Sequence, residues 1–142
     1  MKVRDAMTMS VVEVRAGETC HKAAQLMRDD DVGMLVVTTE GRVIEGVITD
    51  RDLVVRCMAL GGDPALHSVG DYMDKHPTTV DADADLERAA EIMRNAGLRR
   101  LPVTVAGARV IGILSFDDVA VDVKHYLDAF LAVAGQYSRK AH

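Results

Sequence analysis

No hydrophobic run in the chain approaches the roughly 20 residues that a membrane-spanning helix needs, which sets aside a helical membrane protein. Cysteine is scarce. Cys20 and Cys57 stand at unrelated places without C-x-x-C spacing, which argues against a disulfide framework or a zinc site. Cys20-His21 could offer two ligands, but adjacent residues on a helix point in different directions, so no metal is expected. The net charge is −5, and no basic cluster exceeds a pair such as Arg99-Arg100. Nucleic-acid binding needs a basic face, so nucleic acid is not the expected partner. The opening Met1-Lys2-Val3-Arg4-Asp5-Ala6-Met7 has no apolar h-region, and the expectation is cytoplasmic residence without a signal peptide. Catalytic signatures are missing too. His21, His67, His76, His125 and His142 show no partnering pattern, no serine sits in a nucleophile-elbow context, and there is no Gly-rich phosphate loop, so an enzyme is not expected.

What the chain does have is a hydrophobic fraction of 49% beside 27% charged residues, a balance that excludes disorder. At 142 residues a folded chain buries roughly 70% of its unfolded surface. The eight methionines fit as adaptable core fillers.

The dominant pattern is a repeat. Gly46-Val47-Ile48-Thr49-Asp50-Arg51-Asp52-Leu53 returns 66 residues later as Gly112-Ile113-Leu114-Ser115-Phe116-Asp117-Asp118-Val119. At the same offset Val3, Asp5 and Met7 meet Val69, Asp71 and Met73. Ala23, Ala24, Met27 and Arg28 meet Ala89, Ala90, Met93 and Arg94, and no gap is needed from Val3 to Leu53. Two copies suit a closed, pseudo-symmetric pair better than a solenoid.

Each copy reads in the same order. A short helical turn (Val3 to Met7; Val69 to Met73) leads to a brief strand (Val11 to Val14; Thr78 to Val80). A helix follows over about Thr19 to Asp30 and Asp85 to Ala96, its apolar stripe formed by Ala23, Ala24 and Met27 or by Leu86, Ala89, Ala90 and Met93. Gly97 is placed as a helix stop. Two strands come next, Met34 to Thr39 with Val43 to Thr49, and Leu101 to Val105 with Arg109 to Ser115. A second helix starts at the hydroxyl residue. The expected fold is α+β: two β-α-β-β-α units, residues 1–59 and 68–124, a linker at 60–67 holding Gly61-Gly62-Asp63-Pro64, and a helical extension at 125–142. Along that extension Val119, Val123, Tyr126 or Leu127, Phe130, Ala134 and Tyr137 hold one apolar face, which either folds back on the domain or meets a second subunit.

Thr49-x-x-Asp52 and Ser115-x-x-Asp118 each match a helix-capping box, with Asp less usual at its fourth position than Glu or Gln. The same junction is chemically useful. A hydroxyl beside the first amides of a helix favours anions, and a carboxylate one turn in can accept from vicinal sugar hydroxyls.

The duplicated unit, each copy ending in Gly, two aliphatics, Ser or Thr, two residues and Asp, resembles a tandem pair of CBS domains, the cystathionine β-synthase type, also called a Bateman module. The resemblance covers about Met1 to Lys124 and is closer in the second copy, at Gly97-Leu98-Arg99-Arg100-Leu101-Pro102-Val103. It implies two units packed about a pseudo-twofold axis with two clefts that bind an adenosine-type regulatory ligand: AMP, ADP, ATP or S-adenosylmethionine. Thr49 and Ser115 would meet phosphate or ribose, and Asp52 and Asp118 the ribose hydroxyls. Segments around Val12 to Val14, Thr78 to Val80, Gly33 to Leu35 and Leu98 to Leu101 would sandwich adenine, which brings in Val14 and Val80. Arg99 and Arg100 would face phosphate, or serve only the nearby helix end. Their counterparts in copy one, Gly33 and Met34, make the two clefts unequal. The resemblance also implies a homodimer and no required cofactor. The alternative is an interaction protein whose clefts are vestigial and whose C-terminal helix docks to a partner protein.

Overall fold

A computed structural model describes residues 1–140, with the side chains of residues 137 to 140 outside the described part. Continuous apolar runs in the central strands, buried on both faces, and alternating burial in the strands paired beside them give two three-stranded sheets of identical plan. In the first, β1 (Glu13–Val14) runs parallel to β2 (Met34–Thr38), and β3 (Ile44–Thr49) pairs antiparallel with β2, Met34 opposite Thr49 and Val37 opposite Gly46. The second repeats this with β4 (Val80–Asp81), β5 (Arg100–Val105) and β6 (Arg109–Ser115), down to a register shift at Val103/Thr104 that matches the one at Val37/Thr38. The brief first strands are shorter than the sequence suggests, because only two residues of each find ladder partners.

Helices α2 (Cys20–Asp30) and α4 (Leu86–Ala96) cover the sheets. Thr19 starts α2, its Oγ1 accepting from the Lys22 amide at 3.0 Å. Gly97 ends α4 at φ 67° as expected, and Asp31 takes the same left-handed position after α2 at φ 52°. Cys20, Ala23 and Met27 form the buried stripe of α2, and Ala89 and Met93 that of α4. Ala24 and Ala90, expected in those stripes, are exposed. The short α1 (Val3–Ala6) and α3 (Val69–Tyr72) exchange places. Val3 and Arg4 donate to the Ala84 and Ala82 carbonyls at 2.9 Å, while Val69 and Gly70 donate to those of Glu18 and Ala16 at 2.8 Å. Each lead-in helix therefore packs on the other half, and Val3 is buried with Val80, Leu101 and Leu114.

The pseudo-twofold relation is visible in single backbone bridges. Thr8 pairs with Ile113 as Asp74 pairs with Val47, and Val43 pairs with Arg109, its own counterpart in the repeat. After β3 the chain winds as a wide helix over Asp52–Met58, with the Ala59 amide reaching back five residues to Val54. After β6 it forms the 25-residue α5 (Phe116–Lys140). Val119 is buried at the root of α5, but Val123, Tyr126, Leu127 and Phe130 are 53–70% exposed, so this face does not fold back on its own domain. Tyr137, assigned to the same face from sequence, has its side chain outside the described part.

Candidate functional site

Where β6 ends and α5 begins, Ser115 and Asp118 cap each other. The Ser115 amide donates to Asp118 Oδ2 at 3.0 Å and the Asp118 amide to Ser115 Oγ at 3.1 Å. Thr49 and Asp52 repeat the exchange at 2.9 and 3.1 Å. Capping and ligand binding do not compete here. Each carboxylate spends Oδ2 on the cap; Asp52 Oδ1 lies 3.8 Å from Arg56, and Asp118 Oδ1 has no hydrogen bond among the described residues.

Ser115 and Asp118 open into a cavity of about 340 Å³, within the usual size of small-molecule sites. Val12, Val32, Met34, Val36 and Ile113 supply its apolar wall, and Thr8 and Ser10, from the segment after α1, supply hydroxyls. Asp31, Arg100, Asp117 and Asp118 are its charged groups. The cavity thus lies between the two halves, joining the α2–β2 turn of one with the β6–α5 junction of the other.

Of the residues singled out from sequence, Ser115, Asp118 and Arg100 come together here. Arg99 does not line the cavity. Its guanidinium lies 4.9 Å from the centre of the Phe116 ring and 3.7 Å from Asp117, a cation–π contact and an exposed ion pair. The repeat-related position holds Gly33, where an added Cβ would stand 3.2 Å from Asp50 Oδ2. Val14 and Val80 are buried in the two cores. Val12 and Val14 share a face, as residues two apart do: both pack on the first core, and only the half-buried Val12, nearer the cleft, also lines the cavity. Asp52 borders a second hollow of about 530 Å³ with Arg56, Asp71, Asp74, Lys75 and His76, while Thr49 is not among its lining residues.

Asp31, Asp117, Thr8 and Ser10 were not singled out from sequence. Thr8 and Ser10 reach the site only through the exchange of α1 between halves. Asp31 did leave a signal: a carboxylate standing at the helix-stop position that its counterpart fills with Gly97.

The family model described as "CBS domain" matches residues 3–58 and 69–124. Hypoxic response protein 1 of Mycobacterium tuberculosis is 34% identical over 117 residues, 82% of this chain and 81% of that one. The crystal structure of Hypoxic Response Protein I with two coordinated zinc ions has a TM-score of 0.77 at 33% identity, covering 84% of this chain and 97% of that one. Among the described residues here, no three His, Cys, Asp or Glu side chains come together to hold a metal. The CBS domain pair of protein MJ0100 in complex with 5-methylthioadenosine and S-adenosyl-L-methionine shares the fold, with a TM-score of 0.78 at 18% identity over 89% of this chain and 98% of that one.

Proposed function

The chain belongs to the CBS-domain family, with both halves matched, and from that premise we propose that this regulatory CBS pair senses an adenosine-type ligand in the cleft closed by Ser115 and Asp118. The observation that carries the reading is the cavity itself. It combines an apolar wall suited to a purine with a carboxylate that keeps one oxygen free for ribose hydroxyls, beside the N-terminus of a 25-residue helix. Because the lining comes from both halves, occupancy bears on their relative arrangement. A ligand that prefers one arrangement shifts the population toward it.

For signal output, α5 offers an exposed surface. Its apolar face, together with a groove of about 530 Å³ between α4 and α5 whose apolar lining includes Leu86, Ala90, Val119, Val123 and Tyr126, with Asp85, Glu87 and Asp122 beside them, supports a homodimer formed through these helices. The same face supports a second reading, an interaction protein that acts through α5 with its clefts empty.

Thermal unfolding with AMP, ADP, ATP and S-adenosylmethionine separates the two. A ligand at a hundred times its dissociation constant adds about 2.7 kcal/mol, roughly 5–10 °C at this size. A shift that disappears in Asp118→Ala supports the sensor. No shift with any of the four leaves the interaction protein.

A further inference from the structure

One local preference opposes Asp31. It closes α2 in the left-handed region at φ 52°, which Asp and Asn tolerate better than other residues with side chains, but it adds negative charge at the negative end of a helix, behind Asp29 and Asp30. The repeat-related Gly97 follows Asn95 and Ala96. One half of the chain thus gathers acid at a helix end where the other has none, and this end lines the Ser115 cavity. Residues that break local rules without a packing gain are the ones to examine for function.

The rest of the lining has the same sign. Asp31, Asp117 and Asp118 face one cation, Arg100, across the cavity. Even with Asp117 shared with Arg99 at 3.7 Å, Asp31 and Asp118 outnumber Arg100. The repeat-related positions carry Gly97 for Asp31 and Arg51 for Asp117, and the hollow beside Asp52 sets both Arg56 and Lys75 against Asp52, Asp71 and Asp74, so its acids are more fully offset than those of the Ser115 cleft, where Arg100 stands alone.

We infer that the Ser115 cleft selects an adenosine ligand whose 5′ substituent is cationic or uncharged, and rejects one with a polyphosphate tail. The inference rests on the nucleotide reading above and narrows it. A sulfonium brought among these carboxylates is attracted, whereas a triphosphate meets more repulsion than Arg100 can offset. Met34, Val36 and Ile113 give the apolar contact that an alkylthio group needs.

Isothermal titration calorimetry tests this on the wild type, Asp31→Asn and Asp118→Ala, using S-adenosylmethionine, 5′-methylthioadenosine and ATP with and without Mg²⁺. Asparagine tolerates the left-handed conformation, so Asp31→Asn removes charge without disturbing the helix end. The expected result is S-adenosylmethionine bound at least about tenfold tighter than ATP, with 5′-methylthioadenosine between them. The preference shrinks several-fold in Asp31→Asn and with added salt, and Asp118→Ala abolishes the site. ATP bound as tightly as S-adenosylmethionine at a site that Asp118→Ala removes overturns the inference and leaves the nucleotide reading standing. Absence of binding by every ligand brings down both.

Discussion

A Cβ built on Gly112 would stand 2.8 Å from the carbonyl oxygen of Thr8. The two backbones are drawn that close by a reciprocal pair of hydrogen bonds, Thr8 amide to Ile113 carbonyl and Ile113 amide to Thr8 carbonyl, both 2.9 Å. Gly46 stands in the same relation to the carbonyl of Asp74. The glycine that opens each repeated motif is there because the other half's backbone passes over it.

Gly112→Ala is therefore expected to destabilise the protein by about 1–3 kcal/mol through overpacking against backbone that cannot yield. Urea unfolding measures it. An unchanged midpoint would mean that the two halves part at this bridge without cost.

Ser115→Ala and Asp118→Ala each remove one arm of the same cap, with an expected loss of about 1 kcal/mol. Their effects should overlap, because each deletes half of one reciprocal exchange. Additive losses in the double variant, read from denaturation midpoints, would contradict the exchange seen in the structure.

Lys2 and Arg4 tie the N-terminal segment to the second half at Asp85 (2.9 Å) and Asp83 (2.8 Å). The hydrogen bond and charge of Lys2 hold the Asp85 carboxyl below the usual range, and those of Arg4 do the same to Asp83. A carboxyl with a depressed folded pKa adds stability above its unfolded value and loses it as the pH falls through the folded one. The tie is thus present at neutral pH and loosens below about pH 4. In carboxyl NMR titrations, Lys2→Ala should return Asp85 toward its ordinary value and move Asp83 less; an unmoved Asp85 would count against the pair. Both pairs are exposed, so salt weakens them.

Burial, with the neighbouring Cys57, pushes the Cys20 thiol up to about 11, and both sulfurs are enclosed in the first core. Native protein at pH 8 should resist iodoacetamide and the urea-unfolded chain should take two equivalents, since the thiolate is the nucleophile. Rapid alkylation of the native protein, followed by mass spectrometry, would show that the core around α2 opens readily.

For the proposed dimer, Leu127→Asp and Phe130→Asp place charge on the exposed face of α5. Light scattering should give twice the chain mass for the wild type and a single chain mass for either variant, because a buried unpaired charge costs several kcal/mol. A wild-type monomer at tens of micromolar would refute the proposal.

The repeat, the order of its elements and the capping boxes were legible in the chain because each depends on contacts within a few residues: alternation in a strand, i and i+3 across a helix start, a left-handed stop at Gly97. The tandem architecture followed from those patterns set 66 residues apart. What no local rule could supply were the contacts made across the halves. Val3 and Val69 carry the same short motif whichever core receives them, and only the folded chain shows each buried in the opposite one. The cavity depends on that exchange, since Thr8 and Ser10 arrive beside Ser115 from a hundred residues away. Arg99 and Arg100, adjacent in sequence, point to different neighbours because successive residues entering a strand face opposite sides. Backbone periodicity is written residue by residue; which surfaces meet is settled by burial summed over the whole molecule.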